Sequence, residues 1–318
     1  MVTYRQLIRS AFQLASKHPG LWLFGIFVAL LGSGGEIEIL FQLGDFAYQQ
    51  GALSGFVSGL VEGGLFSTAA LQGLWLAISS RPVSLLIVSL LMLVIIGVGV
   101  LVVAATTISL GVLVGRIDQI ARGKVLSIRD SFSYGVQAFW RVFALGVVAR
   151  LVIWVVFFIL GKLALAQFPG SVLAFFGVFI VIVLAAIATS FIIRFAVFEA
   201  VLSKKSLAES VRGSLDLFKQ HWAVTIEITV LLFLVYWAVN VVLTILVTFI
   251  FSYAVELYRT IPIVLSLLSL LLLLVFVIGQ VFLSVFHWAA WTLVFDLLKG
   301  KKALTSRTIS GLKRVLPL

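Results

Sequence analysis

Two ionisable residues, Arg150 and Glu227, lie within long apolar stretches of this sequence, where a charge could do chemistry. A charge in hydrocarbon is costly, so such residues usually pair with one another or mark an ion or substrate pathway. We expect Arg150 and Glu227 to pair in the interior of a helix bundle. A single pair makes a poor proton relay, so fixing the register of two helices is its favoured role. The alternative is the polar site of a small transporter or channel.

Three acids recur where apolar stretches end, each a few residues before a lysine. Asp118, Glu199 and Asp296 could ligate a cation if the chain brought them together. Each acid has basic neighbours in the sequence, which favours local ion pairs and contact with the segment that follows. The three copies of this pattern run over 117–124, 198–205 and 295–302.

No other pattern indicates a catalytic or metal site. The three histidines are scattered and the chain has no cysteine, so a zinc motif is missing. The sequence also lacks a phosphate-binding glycine loop and the G-x-S-x-G and H-E-x-x-H motifs. We therefore predict no catalytic residues, no cofactor and no bound metal, and we do not expect an enzyme.

The composition places these residues in a membrane. Hydrophobic residues make up 62% of the chain and charged residues 11%, whereas soluble domains carry about 25% charged residues. Apolar stretches near or above the roughly 20 residues that cross a bilayer as helix occur five times, and a shorter stretch covers 21–34. The sequence predicts an all-α integral membrane protein with six transmembrane helices. The five longer stretches are 83–115, 142–161, 171–198, 223–250 and 262–298.

The basic residues predict the orientation. Most of the 23 Lys and Arg residues fall on one side of the membrane if the N-terminus is cytoplasmic, as the positive-inside rule requires. Both termini are then cytoplasmic. The net charge of +11 lies beside the spans, which indicates contact with anionic lipid headgroups rather than with nucleic acid. The candidate lipid contacts are Arg122, Lys124, Lys204, Lys205, Lys301 and Lys302.

Short amphipathic stretches precede the spans. Apolar residues recur with a helical period over 4–17, and Pro19 and Gly20 then turn the chain into the first span. Similar elbow helices are predicted at 127–141 and 206–222, and a fourth at 304–316 is followed by no span. A cleaved signal peptide over residues 1–34 is an alternative interpretation of the first stretch. Residues of the second and third elbows match 79 positions apart: Ser127 and Ser206, Asp130 and Glu209, Ser131 and Ser210, Phe139 and Phe218.

These elbows predict a repeated architecture. Three hairpin units, at about 1–124, 125–205 and 206–302, each begin with a cytoplasmic amphipathic elbow helix. A C-terminal amphipathic helix over 303–318 follows them. We expect the units to form one polytopic membrane domain over 1–318.

The first unit contains a glycine-rich outer segment. Gly51, Gly55, Gly59 and Gly63 recur at every fourth position, which would place them on one helix face and allow close backbone approach. The segment would be a re-entrant or interfacial helix packed on its own bundle, or a contact in a homo-oligomer or with a partner membrane subunit. GxxxG spacing alone is a weak signal.

The segment Arg194–Glu199, followed by Ser206–Trp222, resembles a known pattern. An acid ends a span, and an amphipathic helix rich in Ser and Ala leads through Phe and Trp into the next span. The pattern is similar to that of a bacterial and archaeal superfamily of six-span proteins, which includes the membrane domain of glycerophosphoryl diester phosphodiesterases. The resemblance implies a module of the cytoplasmic (inner) membrane of a prokaryote, acting on or beside lipids or partner proteins. Catalysis in those phosphodiesterases resides in a separate soluble barrel, and no polar segment here is long enough to hold one.

These observations predict a non-enzymatic polytopic membrane protein that serves as a structural, assembly or lipid-associated component. The alternative is a small transporter or channel with its polar site near Arg150 and Glu227. A continuous polar cavity at those residues would favour transport, and a lipid-filled groove would favour the first function.

Overall fold

The computed structural model describes residues 4–30, 82–124, 128–165, 172–258 and 262–300. Within these ranges the chain is helical with short connections and no strand, which confirms the all-α prediction. A 3-10 turn, Pro19–Leu21, lies between the first two helices. The α-helices are α1 Tyr4–Lys17, α2 Trp22–Leu30, α3 Pro82–Ala121, α4 Ile128–Leu165, α5 Val172–Leu202, α6 Leu207–Tyr258 and α7 Pro262–Lys299.

Five of these helices are long and apolar enough to cross a membrane, as a multi-pass membrane protein requires. The first predicted span coincides with a shorter apolar helical segment, Pro19–Ala29. The count of six spans and the three-unit repeat therefore stay predictions. The candidate spans are Leu86–Ala121, Arg129–Val156, Gly177–Leu202, Leu207–Ser252 and Leu267–Lys299.

The chain turns directly after α1. Helix α1 ends at Lys17, directly before His18 and Pro19. The amide of Leu21 donates to the carbonyl of His18 at 2.9 Å, which closes the turn. The indole of Trp22 donates to the carbonyl of Ala15 at 2.7 Å and so satisfies one of the free carbonyls at the end of α1.

The segments predicted as the second and third elbows differ from one another. Helix α4 runs from Ile128 to Leu165, so residues 128–141 continue into the following apolar segment of the same helix. Helix α6 bends at His221, whose φ of −129° and ψ of 26° are not helical, close to the predicted boundary after 222. The hydroxyl of Thr225 donates to the carbonyl of His221 at 3.0 Å, a bond that commonly accompanies a helix bend.

The chain divides into two compact units, and each is described by itself. The smaller is Glu38–Ala105, of which residues 82–105 of α3 are described. Apolar side chains there are largely exposed, and Leu86 and Leu101 are both 69% exposed. An apolar helix with exposed side chains suits contact with hydrocarbon, since lipid is as apolar as the side chains themselves.

The larger unit, Met1–Ile37 with Thr106–Leu318, has its core at one end of the long helices. In α5 and α7 the buried side chains concentrate in the C-terminal halves, where Phe195, Phe198 and Trp291 are fully buried. Further toward the opposite end, apolar residues such as Trp154 and Leu267 are exposed. The packed end is therefore the end that carries the recurring acids.

Two glycines let α3 and α4 approach closely at this packed end. A Cβ atom on Gly111 would lie 2.9 Å from the Cα atom of Gly135. A Cβ atom on Gly135 would collide with the carbonyl of Ile108 and lie 2.6 Å from a methyl group of Val112. Backbone-to-backbone contact of this kind is typical of packing between membrane helices.

We predict that Gly135→Ala destabilises the protein by about 1–3 kcal/mol, because the new methyl group meets backbone that must move. Gly146→Ala on the same helix is the matched control, since a Cβ atom there meets nothing within 4 Å and alanine favours helix. The measurement is the apparent melting temperature of each variant in detergent. Equal melting temperatures for the two variants would contradict the close contact.

Candidate functional site

The C-terminal end of α3 is closed by a glycine. Gly123 has a φ of +73°, a left-handed conformation that glycine adopts without strain. Its amide donates to the carbonyl of Ile120 at 2.9 Å, and the amide of Lys124 donates to that of Gln119 at 2.9 Å. This pair of bonds is the Schellman motif, which ends a helix while satisfying its last carbonyls. Asp118 and Arg122 are thereby fixed on the last turn.

Asp118 forms an ion pair on that turn. Its side chain is buried. Arg122 Nε donates to Asp118 Oδ1 at 2.9 Å, and Arg122 Nη2 lies 2.8 Å from the same oxygen. The hydrogen bond with Asp118 raises the pKa of Arg122 above its usual value, so the guanidinium stays charged. The same Nη2 lies 3.4 Å from Asp296 Oδ1 on α7. Arg122 therefore connects the end of α3 to the end of α7.

Glu199 is the centre of a second group of charges. Its side chain is 6% exposed, and both carboxylate oxygens accept from Lys299 Nζ, at 2.9 and 3.0 Å. Lys205 Nζ lies 3.0 Å from Oε2, and Lys299 also donates to the hydroxyl of Ser203. Two lysines thus surround one buried carboxylate at the ends of α5 and α7.

Neighbouring helices hold this group in place. Arg141 of α4 donates to the backbone carbonyl of Lys205 at 2.9 Å. On α6, Gly213 lies against the pair, since a Cβ atom there would come within 3.3 Å of Lys205 Nζ. The start of α6 is fixed by Ser206 and Glu209, whose side chains each bond the other's backbone amide, at 3.4 and 3.0 Å. This capping box explains why the helix begins there.

We name the charged residues at these helix ends the joint: Asp118, Arg122, Glu199, Lys205, Asp296 and Lys299. Each acid in it lies within 4 Å of a cation. Acids neutralised in this way are poor metal ligands and poor bases, and across the described ranges no group of three potential ligand side chains could hold a metal ion. The chemistry that this arrangement supports is electrostatic attachment of helix ends to one another.

The joint changes the interpretation of the candidate lipid contacts. Arg122 and Lys205 are engaged by Asp118 and Glu199. Lys124 and Lys204 are exposed, and Lys204 Nζ lies 5.9 Å from the ring centre of Tyr134. Lys301 and Lys302 lie outside the described residues. Contact of these six residues with lipid headgroups stays a prediction.

The structure does not bring Arg150 and Glu227 into an ion pair. Arg150 is exposed on α4, and Glu227 of α6 accepts a hydrogen bond from the hydroxyl of Tyr4 on α1. Among the ion pairs found between described residues, none joins the two. The carboxylate is thus used to attach the N-terminal helix to α6.

The glycines predicted as a packing or oligomer contact, Gly51, Gly55, Gly59 and Gly63, lie outside the described residues. The same holds for the C-terminal amphipathic helix over 303–318. Both stay predictions.

Aromatic packing around a buried arginine is a feature that the sequence did not predict. Arg194 is 4% exposed, and its guanidinium carbon lies 4.8 Å from the ring centre of Trp291. Phe195 meets the same indole edge to face at 5.9 Å, and the ring of His287 is 6.4 Å from it. Cation–π contact compensates part of the cost of burying the charge. No local pattern signals this contact, because Arg194 and Trp291 belong to different helices.

A second feature that the sequence did not predict is a neutral hydrogen-bonded group between α6 and α7. Gln280 donates to Asn240 at 2.6 Å and accepts from Tyr236 at 3.2 Å. Asn240 in turn donates to the backbone carbonyl of Tyr236 at 2.9 Å. Polar groups that bond across helices in this way stabilise packing between spans.

Comparison of the chain with models of known protein families, with curated proteins and with solved structures found no match. The resemblance to the six-span superfamily therefore stays an expectation. The function has to be inferred from the geometry of the chain itself.

We predict a measurable coupling between Glu199 and Lys299. Glu199→Gln removes the charge that two lysines share, and Lys299→Gln removes one of those lysines. In a double-mutant cycle we expect a coupling free energy of about 1–2 kcal/mol, because the carboxylate is buried while the lysine is partly exposed. Chemical unfolding in detergent measures it.

The matched control is Asp216→Asn, which removes an exposed acid of α6 outside the joint. Combined with Lys299→Gln, it should show no coupling. Additive effects of Glu199→Gln and Lys299→Gln would remove the joint as a stabilising unit.

Proposed function

We propose that this chain is a non-enzymatic multi-pass membrane protein that serves as a structural, assembly or lipid-associated component. The observation that carries the proposal is the joint, in which charges from α3, α5 and α7 neutralise one another. Such an arrangement uses its acids to hold helices together.

The proposed setting is the cytoplasmic membrane of a prokaryote, with both termini in the cytoplasm. The positions of the basic residues support this orientation, since Arg122, Lys124, Lys204 and Lys205 all follow the C-terminal ends of apolar helices. The joint would then lie at the cytoplasmic surface. The proposed partners are membrane lipids, a second copy of the chain or another membrane subunit.

The alternative function, a small transporter or channel, has weaker support. It requires a polar site near Arg150 and Glu227, but Arg150 is exposed and Glu227 accepts a bond from Tyr4. The polar residues Tyr236, Asn240 and Gln280 bond to one another. Neutral side chains that bond in this way stabilise helix packing.

The two functions differ in a flux assay. The full chain is reconstituted into liposomes, and passage of protons and monovalent ions is followed with dyes inside the vesicles. We expect the same flux in liposomes with the chain, with its Arg150→Gln/Glu227→Gln variant, and without protein. Flux that the chain provides and the variant loses would establish transport and overturn the proposal.

A further inference from the structure

Helices α1, α6 and α7 line a groove of about 600 Å³. Most of its lining is apolar: Val235 and Val239 of α6 and Phe282 and Phe286 of α7 are part of it. Two arginines of α1, Arg5 and Arg9, also belong to the lining. The volume falls within the range of sites that bind small molecules, about 300–1,000 Å³.

The two arginines present uncompensated positive charge to the groove. They stand one helical turn apart, so their side chains leave the same face of α1. Both are exposed, and neither has an ion-pair or hydrogen-bond partner in the described part of the chain. Helix α1 contains no acid. Guanidinium groups bind phosphate oxygens through paired, charge-assisted hydrogen bonds.

The rest of the lining suits a hydrocarbon chain. Val239 is 36% exposed and Phe12, from α1, is 53% exposed, so this apolar surface is open. Phe12 meets Phe282 edge to face at 5.4 Å, which places an aromatic contact between α1 and α7 at the groove. A small soluble anion would leave these apolar groups in contact with water, whereas an acyl chain would cover them.

The location of the groove indicates that its ligand comes from the bilayer. Val235 and Val239 belong to the candidate span Leu207–Ser252, and Phe282 and Phe286 belong to Leu267–Lys299. Phe286 is buried, whereas Val239 is exposed and Val235 and Phe282 are partly exposed, so these three would face the acyl chains of the surrounding bilayer. Arginine at the end of an apolar region keeps its charged group toward the headgroups while its stem covers apolar surface.

We propose that this groove binds one anionic phospholipid, with the phosphate on Arg5 and Arg9 and an acyl chain along Val239 and Phe282. The inference rests on the proposed function as a lipid-associated membrane component and names the lipid class and the site. It concerns residues that differ from the six basic candidates at the helix ends.

The experiment titrates the full chain, purified in mild detergent, with phosphatidylglycerol or with phosphatidylcholine of the same acyl chains. Native mass spectrometry counts the lipids bound to each protein molecule. We expect one phosphatidylglycerol, bound about tenfold more tightly than phosphatidylcholine, and we expect Arg5→Gln/Arg9→Gln to abolish that preference. The matched control is Arg129→Gln/Arg212→Gln, which removes two exposed arginines outside the groove and should leave the preference unchanged.

A second pair of variants tests the apolar part of the groove. Val239→Trp fills it and should weaken the binding of both lipids by a similar factor of about ten. Val242→Trp is the control on the same helix, because Val242 is 64% exposed and lies outside the lining. This pair decides the question if the double arginine variant does not fold.

Four outcomes would overturn the inference. The first is equal affinity for the two lipids, and the second is an equal loss of lipid binding in the groove variants and in their controls. The third is displacement of the lipid by soluble glycerophosphate, and the fourth is a second copy of the chain bound in place of lipid. The proposed function does not fail with them, because it fails only if the chain provides solute flux.

Discussion

A carboxylate buried at the end of an apolar helix stays ionised only if cations or hydrogen-bond donors compensate its charge, and two lysines compensate that of Glu199. One, Lys205, comes from the connection that follows the same helix, and the other, Lys299, comes from the end of α7. Removing one of these lysines leaves the buried carboxylate with only one cation to compensate it. The ends of α5 and α7 are therefore held together, and the aromatic core of Phe198, Trp291 and their neighbours lies directly beside them.

The rest of the fold follows from this packed end. Beyond the core, the long helices expose apolar side chains, which in a membrane are covered by lipid rather than by protein. Attachments of other helices use polar groups near the same end: Tyr4 bonds to Glu227, and Arg141 bonds to the backbone of Lys205. The groove between α1, α6 and α7 lies where this polar region meets the apolar surface, which is the setting that a phospholipid occupies.

Local signals in the sequence predicted a large part of this structure. The hydropathy predicted the long helices, Pro19 predicted the end of α1, and the amphipathic period of 206–222 predicted the start of α6, because each of these signals acts through neighbours in the chain. Contacts between distant residues were not predictable in this way. Glu199 and Lys299 are 100 residues apart in the sequence, and Tyr4 and Glu227 are 223 residues apart. The expected pairing of Arg150 with Glu227 assumed that they lie at equivalent depths on two helices, but the sequence does not show which way each helix turns its faces. The joint was predicted as local ion pairs, and its connections between helices emerged only from the fold.

The central claim is that Glu199 and Lys299 are in direct contact, and zero-length coupling tests it most directly. A membrane-permeant carbodiimide activates a carboxylate, which then forms an amide with an amine that touches it. Mass spectrometry of peptides from the treated chain should identify an amide between Glu199 and Lys299. Activated Glu199 that is recovered only as its carbodiimide adduct or joined only to Lys205, with Lys299 unattached, would contradict the account.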